Sequence, residues 1–376
     1  MNKKIKILIV VGTRPELIRL SRIIAKLKKL FDVYLLHTNQ NYDANLKEVF
    51  FKDLNIKPDR ILNQNKKNSI TKISQILEDV NETIQIFKPD AFLILGDTNS
   101  ALSAITAKKN KIPIFHIEAG NRCFNEVVPE EVNRKIVDHI ADINLTYSDF
   151  ARNNLLNEGI SCDQIFKIGS PLYEVINFYK KNLNKKFFLK KNNLRDKKFI
   201  LVSFHREENI DDKIKLKNFI EILIELEKKY KIPVLVSTHP RLKQSLKNNR
   251  YQINKNVIFS KPFGFKEYLS LQLSAKFVIS DSGSITEEAS ILNIPAISLR
   301  EDIERQEGMD EGAIILSEVN KVSLLNSLDI LLNTQKKNFP SIIIDYNVKD
   351  VSSKVARIIQ SYVSFINRRV WKKRKD

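Results

Sequence analysis

Short apolar runs alternate with longer amphipathic stretches along the whole chain. IKILIVV (5–11), DVYLLHT (32–38), AFLILG (91–96), IPIFHIE (112–118), INLTY (143–147) and IFKIG (165–169) have the length and branched-residue content of buried strands. Between them, LIRLSRIIAKLKKL (17–30) and SITKISQILEDVNETIQIF (69–87) carry apolar residues at helical spacing. After a polar, lysine-rich stretch at 180–198 the pattern restarts with FILVSFH (199–205), IPVLVSTH (232–239), VIFS (257–260), FVISDS (277–282) and IPAISLR (294–300). Strand and helix repeated in this way predict a mostly parallel sheet covered on both faces, here twice over. The expectation is an α/β chain of two doubly wound domains, 1–172 and 173–351, facing a cleft. Within DVSSKVARIIQSYVSFINRRV (350–370) a final helix over 352–370, capped by Asp350 or a following Ser, is expected to pack back on the first domain.

Composition narrows the class. At 376 residues the chain suits two cores better than one. With 43% hydrophobic and 28% charged residues, 9 Gly and 11 Pro, it is not collagenous, low-complexity or wholly disordered. Cys123 and Cys162 are too few for a disulfide framework or a cysteine zinc site. No apolar run approaches the roughly 20 residues that cross a bilayer. The opening IKILIVV runs into GTRPE instead of a small-residue cleavage site, so it reads as a buried first strand and places the chain in the cytoplasm.

The net charge of +19 attracts polyanions, and nucleic acid, an acidic membrane surface and a phosphorylated small substrate are all compatible with it. Against that, Lys and Asn are spread through segments such as 180–198 and 243–256, as on a solvated surface. No RNA-binding aromatic motif, zinc finger or helix-turn-helix signature accompanies the charge, so no nucleic-acid partner is expected. The tail 368–375 is denser in cations, and Trp371 suits a headgroup layer; a weak peripheral membrane contact is the expectation there.

Chemistry-capable residues gather at strand ends. Gly12-Thr13-Arg14-Pro15-Glu16 follows the first strand and opens a helix, where free N–H groups attract an anion and the Arg14 fork matches phosphate oxygens. Arg14 capping a neighbouring turn is the alternative. Asp97 in LGDTNS, Glu118 in HIEAGNR, and Glu130 with Glu131 in VVPEEVNR each follow or adjoin an apolar run. Any one of them suits a first-turn acid; several on one sheet edge suit acid and base work. The second half offers His205-Arg206-Glu207-Glu208, Thr238-His239-Pro240-Arg241 and Ser280-Asp281-Ser282-Gly283-Ser284 before Glu287-Glu288. In the last, Gly283 admits a close backbone approach and the N–H groups of Ser282 to Ser284 form a phosphate cradle. Histidines at 37, 116, 139, 205 and 239 show no H-x-x-x-H spacing, so no metal is expected. A dinucleotide fingerprint, a Walker loop and a G-x-S-x-G elbow are absent.

The motifs GTRPE (12–16), GDT (96–98), HIEAG (116–120), PEEVNR (129–134), HRE (205–207) and DSGSITEEA (281–289) resemble, in order and over nearly the whole chain, the non-hydrolysing UDP-N-acetylglucosamine 2-epimerases. The resemblance implies a glycosyltransferase-B-like pair of Rossmann-like domains, a homodimer, and no cofactor or metal. It is nearest to the branch that converts UDP-2-acetamido-2,6-dideoxy-L-talose to UDP-N-acetyl-L-fucosamine for bacterial surface polysaccharide, capsule or O-antigen. The parent reaction, from UDP-N-acetylglucosamine to UDP-N-acetylmannosamine, is the alternative. The implied chemistry is loss of the C2 proton with departure of UDP, then return of both with the proton on the other face.

Carried over by motif, Asp97, Glu118 and Glu130 are catalytic carboxylates, with acid and base roles open, and His205 joins them. Arg14, His205, Ser282 and Gly283 would hold the diphosphate, Glu288 the ribose, and His239 the sugar or its phosphate. Glu131 and Ser284 belong to the same binding set. Arg19 stands where the family commonly has Lys, and Gln40 where an allosteric second substrate binds in bacterial relatives, although Asn41-Tyr42-Asp43 replaces the usual following His. Arg122, in Asn121-Arg122-Cys123-Phe124, lies in a departure from the usual Leu-Arg-Thr-Gly; Phe124 there suits a 6-deoxy sugar. A sugar transferase on the same scaffold has no evident use for three N-terminal carboxylates.

Overall fold

The computed structural model describes residues 4–40, 44–63, 68–238, 240–249, 254–334 and 342–373. The chain divides into two compact units, Met1–Val175 with Ile344–Asp376, and Ile176–Ile343.

The first unit is built on seven strands: β1 (Lys6–Val11), β2 (Asp32–His37), β3 (Arg60–Ile61), β4 (Ala91–Leu95), β5 (Ile114–Ile117), β6 (Ile143–Thr146) and β7 (Ile165–Lys167). They lie in the order β3-β2-β1-β4-β5-β6-β7, every pair parallel. The second unit has β8 (Ile200–Phe204), β9 (Val234–Thr238), β10 (Val257–Ser260), β11 (Val278–Ser280), β12 (Ala296–Leu299) and β13 (Ile315–Ser317). Their order is β10-β9-β8-β11-β12-β13, again all parallel. Eleven of these strands fall inside the predicted apolar runs. The other two, β3 and β13, are sheet edges of two and three residues that lie outside those runs.

The central strands read as unbroken apolar runs because both faces are covered. In the first unit Phe92, Ile94 and Val10 are buried against Ile76, Val80 and Ile84 of the helix Ser69–Phe87. In the second, Val202, Phe204 and Val236 meet Phe219 and Leu223, and the Phe204 and Phe219 rings stack at 3.9 Å. Each fully buried side chain of this size contributes about 1.5–3 kcal/mol.

The last helix, Val351–Arg369, starts where Asp350 accepts from the Ser353 N–H at 3.2 Å. It packs on the helix Arg14–Leu30, burying Val355, Ile359, Val363 and Ile366. The chain's return into the first unit is pinned twice. Lys167 Nζ bridges Asp149 (2.6 Å) and Asp345 (2.8 Å), and Ser352 donates through N and Oγ to Glu174 at 2.9 and 2.7 Å. Part of the described tail meets the unit's own surface. Arg369 pairs with Asp163 at 2.9 Å, the Lys108 ammonium lies over the Trp371 ring at 5.2 Å, and Lys373 donates to the Lys111 carbonyl at 2.7 Å. Among the described residues no helix is long and apolar enough to cross a membrane.

Candidate active site

In the first unit the strand order reverses between β1 and β4, and ligands in such sheets bind beyond the carboxyl ends of the strands at that point. Neighbouring strands β4 and β5 pair with Leu95 opposite Ile117, so the turns carrying Asp97 and Glu118 leave the sheet side by side. Gly96 holds φ +76°, which turns the chain sharply before Asp97. Glu118 itself takes φ +67°, a conformation costly for a side-chain-bearing residue and of the kind that gathers at functional sites. Its carboxylate lies 3.5 Å from Arg19 Nε and accepts from the Tyr147 hydroxyl at 3.3 Å. Arg19 is thus a buried cation beside a proposed proton carrier.

The helix Pro129–Ile140 is docked on the Asp97 turn by its own side chains. Asn133 donates to the Asp97 carbonyl at 2.9 Å, and Arg134 Nε to Asp97 Oδ2 at 2.9 Å. This brings the first turn, with an exposed Glu130, to the edge that bears Asp97 and Glu118. Glu131, expected to meet substrate, is instead fully buried: it accepts from the Cys123 and Phe124 N–H groups at 3.1 and 3.2 Å and from Arg134 at 2.9 Å. These bonds shape the backbone at Cys123 and Phe124. Phe124, the result of that shaping, holds φ +55° and is 67% exposed.

Arg122, also expected at the substrate, is 1% exposed. It donates to Glu158 through Nε and Nη2 at 2.7 and 2.6 Å and to Asp138 through Nη1 at 2.7 Å. Asp138 accepts from the Gly120 N–H and stands 2.9 Å from His116 Nδ1, whose Nε2 is 2.8 Å from the Gly96 carbonyl. Burial alone would raise the Asp138 pKa, but His116 and Arg122 outweigh it and hold it below the usual range. Gly120 is required here, since a Cβ would stand 2.1 Å from the Ala151 carbonyl oxygen. This buried cluster ties the Asp97 and Glu118 turns to one another.

At the end of β1, Arg14 is half-buried, its guanidinium 5.4 Å from the Phe50 ring centre. Glu16, which the sequence reading passed over, reaches back to the N–H groups of Gly12 and Thr13 and accepts from the Thr98 hydroxyl at 2.6 Å. It ties the first anion-attracting turn to the Asp97 turn. Burial pushes its pKa up to about 7, against the lowering effect of these donors. An acid three residues after Thr13 is the sequence signature that could have revealed it. Gln40 Oε1 accepts from Ser100 N and Oγ at 3.3 and 3.0 Å, on the same edge.

In the second unit, Ser282 Oγ and Ser284 Oγ lie 2.9 Å apart, and Ser284 donates to Glu288 Oε1 at 2.8 Å. Glu288 also accepts from the Gln272 amide. The serine at 284 therefore closes the turn through its hydroxyl. Behind Gly283 sits Arg300, whose Nη1 would be 2.9 Å from an added Cβ, and whose Nη2 pairs with Glu304 at 2.8 Å. His205 Nδ1 stands 2.8 Å from Asp281 Oδ1. His239 lies outside the described residues. Among the described residues no three His, Cys, Asp or Glu side chains group as a metal site.

Two doubly wound parallel sheets, each with its polar turns at the carboxyl ends, define the α/β class in which small anionic ligands are bound by strand-end loops. Residues 25–360 match the family described as UDP-N-acetylglucosamine 2-epimerase. The chain belongs to this family of UDP-sugar 2-epimerases, which are isomerases. The structure of UDP-N-acetylglucosamine 2-epimerase from Rickettsia bellii is similar at TM-score 0.92 and 42% identity, over 98% of this chain and 100% of that one. That of the Methanocaldococcus jannaschii UDP-GlcNAc 2-epimerase in complex with UDP-GlcNAc and UDP is similar at TM-score 0.86 and 36% identity, over 95% and 99%. The UDP-2,3-diacetamido-2,3-dideoxy-D-glucuronate 2-epimerase of Pseudomonas aeruginosa is 33% identical over 318 residues, 83% of this chain and 88% of that protein.

Proposed function

We propose that the chain inverts C2 of a UDP-2-acetamido sugar by removing UDP across C1 and C2 and adding it back. A C2 proton beside an acetamido group is not acidic enough for simple removal and return. Loss of the proton together with the C1–O bond leaves a 2-acetamidoglycal; UDP then re-adds while a proton reaches the other face. The path needs one group to take the proton, another to return it, and donors for the departing diphosphate. The observation that carries the reading is the emergence of Asp97 and Glu118 from paired strands, one gripped by Arg134 and the other beside Arg19. We assign proton transfer to Asp97, Glu118 and Glu130. Diphosphate binding falls to Arg14, His205 and the turn at Ser282 and Gly283, and ribose binding to Glu288.

UDP-N-acetylglucosamine is the first substrate of this proposal, because the Rickettsia bellii and Methanocaldococcus jannaschii proteins are named for it. The second reading is UDP-2-acetamido-2,6-dideoxy-L-talose, giving UDP-N-acetyl-L-fucosamine for surface polysaccharide. Phe124 supports it: an exposed ring on the loop held by Glu131 suits a methyl group better than a hydroxyl. The Pseudomonas aeruginosa relative is a reminder that relatives this similar differ in sugar. A homodimer, as the resemblance implies, goes with either reading, and so does work in the cytoplasm.

Both nucleotide sugars are to be incubated with pure protein in heavy water. Deuterium at C2 of the product, and its loss with Asp97→Asn or Glu118→Gln by about 10²-fold or more in rate, is the expected outcome. Product formed without deuterium would sink the mechanism, and the sugar that turns over selects between the two readings.

A further inference from the structure

His205 and Asp281 end neighbouring strands. β8 and β11 pair with Ser203 opposite Ser280, so the residues just beyond them leave the sheet edge together. Asp281 is fully buried. Its Oδ2 accepts from the backbone N–H groups of His205 and Arg206, each at 2.9 Å, and the Asn209 amide adds a contact at 3.4 Å. Its Oδ1 stands 2.8 Å from Nδ1 of His205, whose side chain is 43% exposed. One side of the imidazole thus meets a buried carboxylate, and Nε2, on the opposite side, is the nitrogen left to a ligand.

We propose that Asp281 is a positioning residue that keeps the proton of His205 on Nδ1 and so presents Nε2 to the diphosphate of the nucleotide sugar. The inference rests on the epimerase reading above. A buried anion is expensive unless hydrogen-bonded, and here backbone donors hold it in place whatever the ring does. Burial would raise the Asp281 pKa, but the His205 charge and these donors hold it low, so the carboxylate stays ionised. When the C1–O bond breaks, its electron pair goes to the diphosphate oxygen while the C2 proton goes to the base of the elimination. As the diphosphate anion binds, Nε2 takes a proton from solvent, and the resulting imidazolium, stabilised by Asp281, donates that N–H to the oxygen on which charge grows. Arg206 supports the arrangement, donating from Nε to the Asp281 carbonyl at 3.1 Å and pairing with Glu304 at 3.4 Å.

The test uses the full chain with ¹⁵N-labelled histidine, the His205 signals being identified by their loss in His205→Gln. In alkaline buffer, where the ring is neutral, the wild type should carry its proton on Nδ1, and added UDP should shift Nε2. Asp281→Asn should give a mixture of tautomers and lower kcat by roughly 10²-fold with KM within about threefold. A wild-type ring protonated on Nε2 alone, or an Asp281→Asn enzyme within about threefold of wild-type kcat, overturns the inference. The wild-type spectrum needs only His205→Gln for its assignment, so it decides even where Asp281→Asn does not fold. A wild type that leaves both sugars unchanged overturns the epimerase reading instead, and the spectrum with UDP still judges the pairing by itself.

Discussion

Arg134 holds Asp97 with two N–H groups on a single oxygen: Nε and Nη2 both donate to Oδ2, while Nη1 donates to Glu131 at 2.9 Å. One guanidinium therefore sets the orientation of a proposed proton carrier and neutralises a fully buried acid. Lysine offers a point charge where arginine offers a planar fork. Arg134→Lys should keep the chain folded yet lower kcat by about 10²-fold, the scale of a small misplacement of a catalytic group. Steady-state rates on the accepted nucleotide sugar check this, and a variant with unaltered kcat would show that the fork is not needed. Arg134→Ala should also cost about 3–5 kcal/mol of stability, because Glu131 is left buried and unpaired.

Glu16 predicts a pH signature in stability. Its pKa rises from an ordinary 4.5 to about 7 in the fold. Between those values the folded chain keeps a proton that the unfolded chain has lost, so raising the pH favours unfolding. The contribution is fully present below 4.5 and gone above 7, a loss on the order of 3 kcal/mol. Urea unfolding at the two ends of this window should show the loss in wild type and not in Glu16→Gln. An equal decline in both proteins would remove Glu16 as its source.

Arg122 should behave as a strut. Its partners, Asp138 and Glu158, are part of the fold, and removing it leaves Asp138 buried with one cation fewer. Arg122→Leu should cost about 3–5 kcal/mol. At a temperature where the variant is still folded, KM should stay within about threefold of wild type. A large rise in KM without loss of stability would return Arg122 to the substrate.

Phe124 should bear on the choice of sugar. Phe124→Ser ought to change the ratio of kcat/KM for the 6-deoxy and 6-hydroxy nucleotide sugars by roughly tenfold, the range of one small group in an apolar contact. The comparison is made with both compounds in one competition assay. An unmoved ratio would mean that the ring does not touch that end of the sugar.

Much of this was readable before any coordinates. Alternation of apolar runs with helical spacing located eleven of thirteen strands, because central parallel strands are buried on both faces and must be apolar throughout. The helix Ser69–Phe87 begins and ends at its predicted residues, since apolar period and an Asn68 cap agree. The turns bearing Asp97, Glu118, His205 and Ser282 were visible for the same reason: polar motifs directly after apolar runs fall at the carboxyl edge of a parallel sheet. Which polar residue faces outward was not visible. Glu130 and Glu131 are adjacent and identical in type, yet one is exposed and the other fully buried, because a helix rotates about 100° per residue and only docking on Asp97 settles which face turns inward. Arg122, Asp138, Asp281 and Glu16 owe their roles to partners as far as 82 positions away in the chain, such as Thr98 with Glu16. Such pairings carry no local signature: a charge is stable inside only where a distant partner meets it, and that meeting is made by the fold.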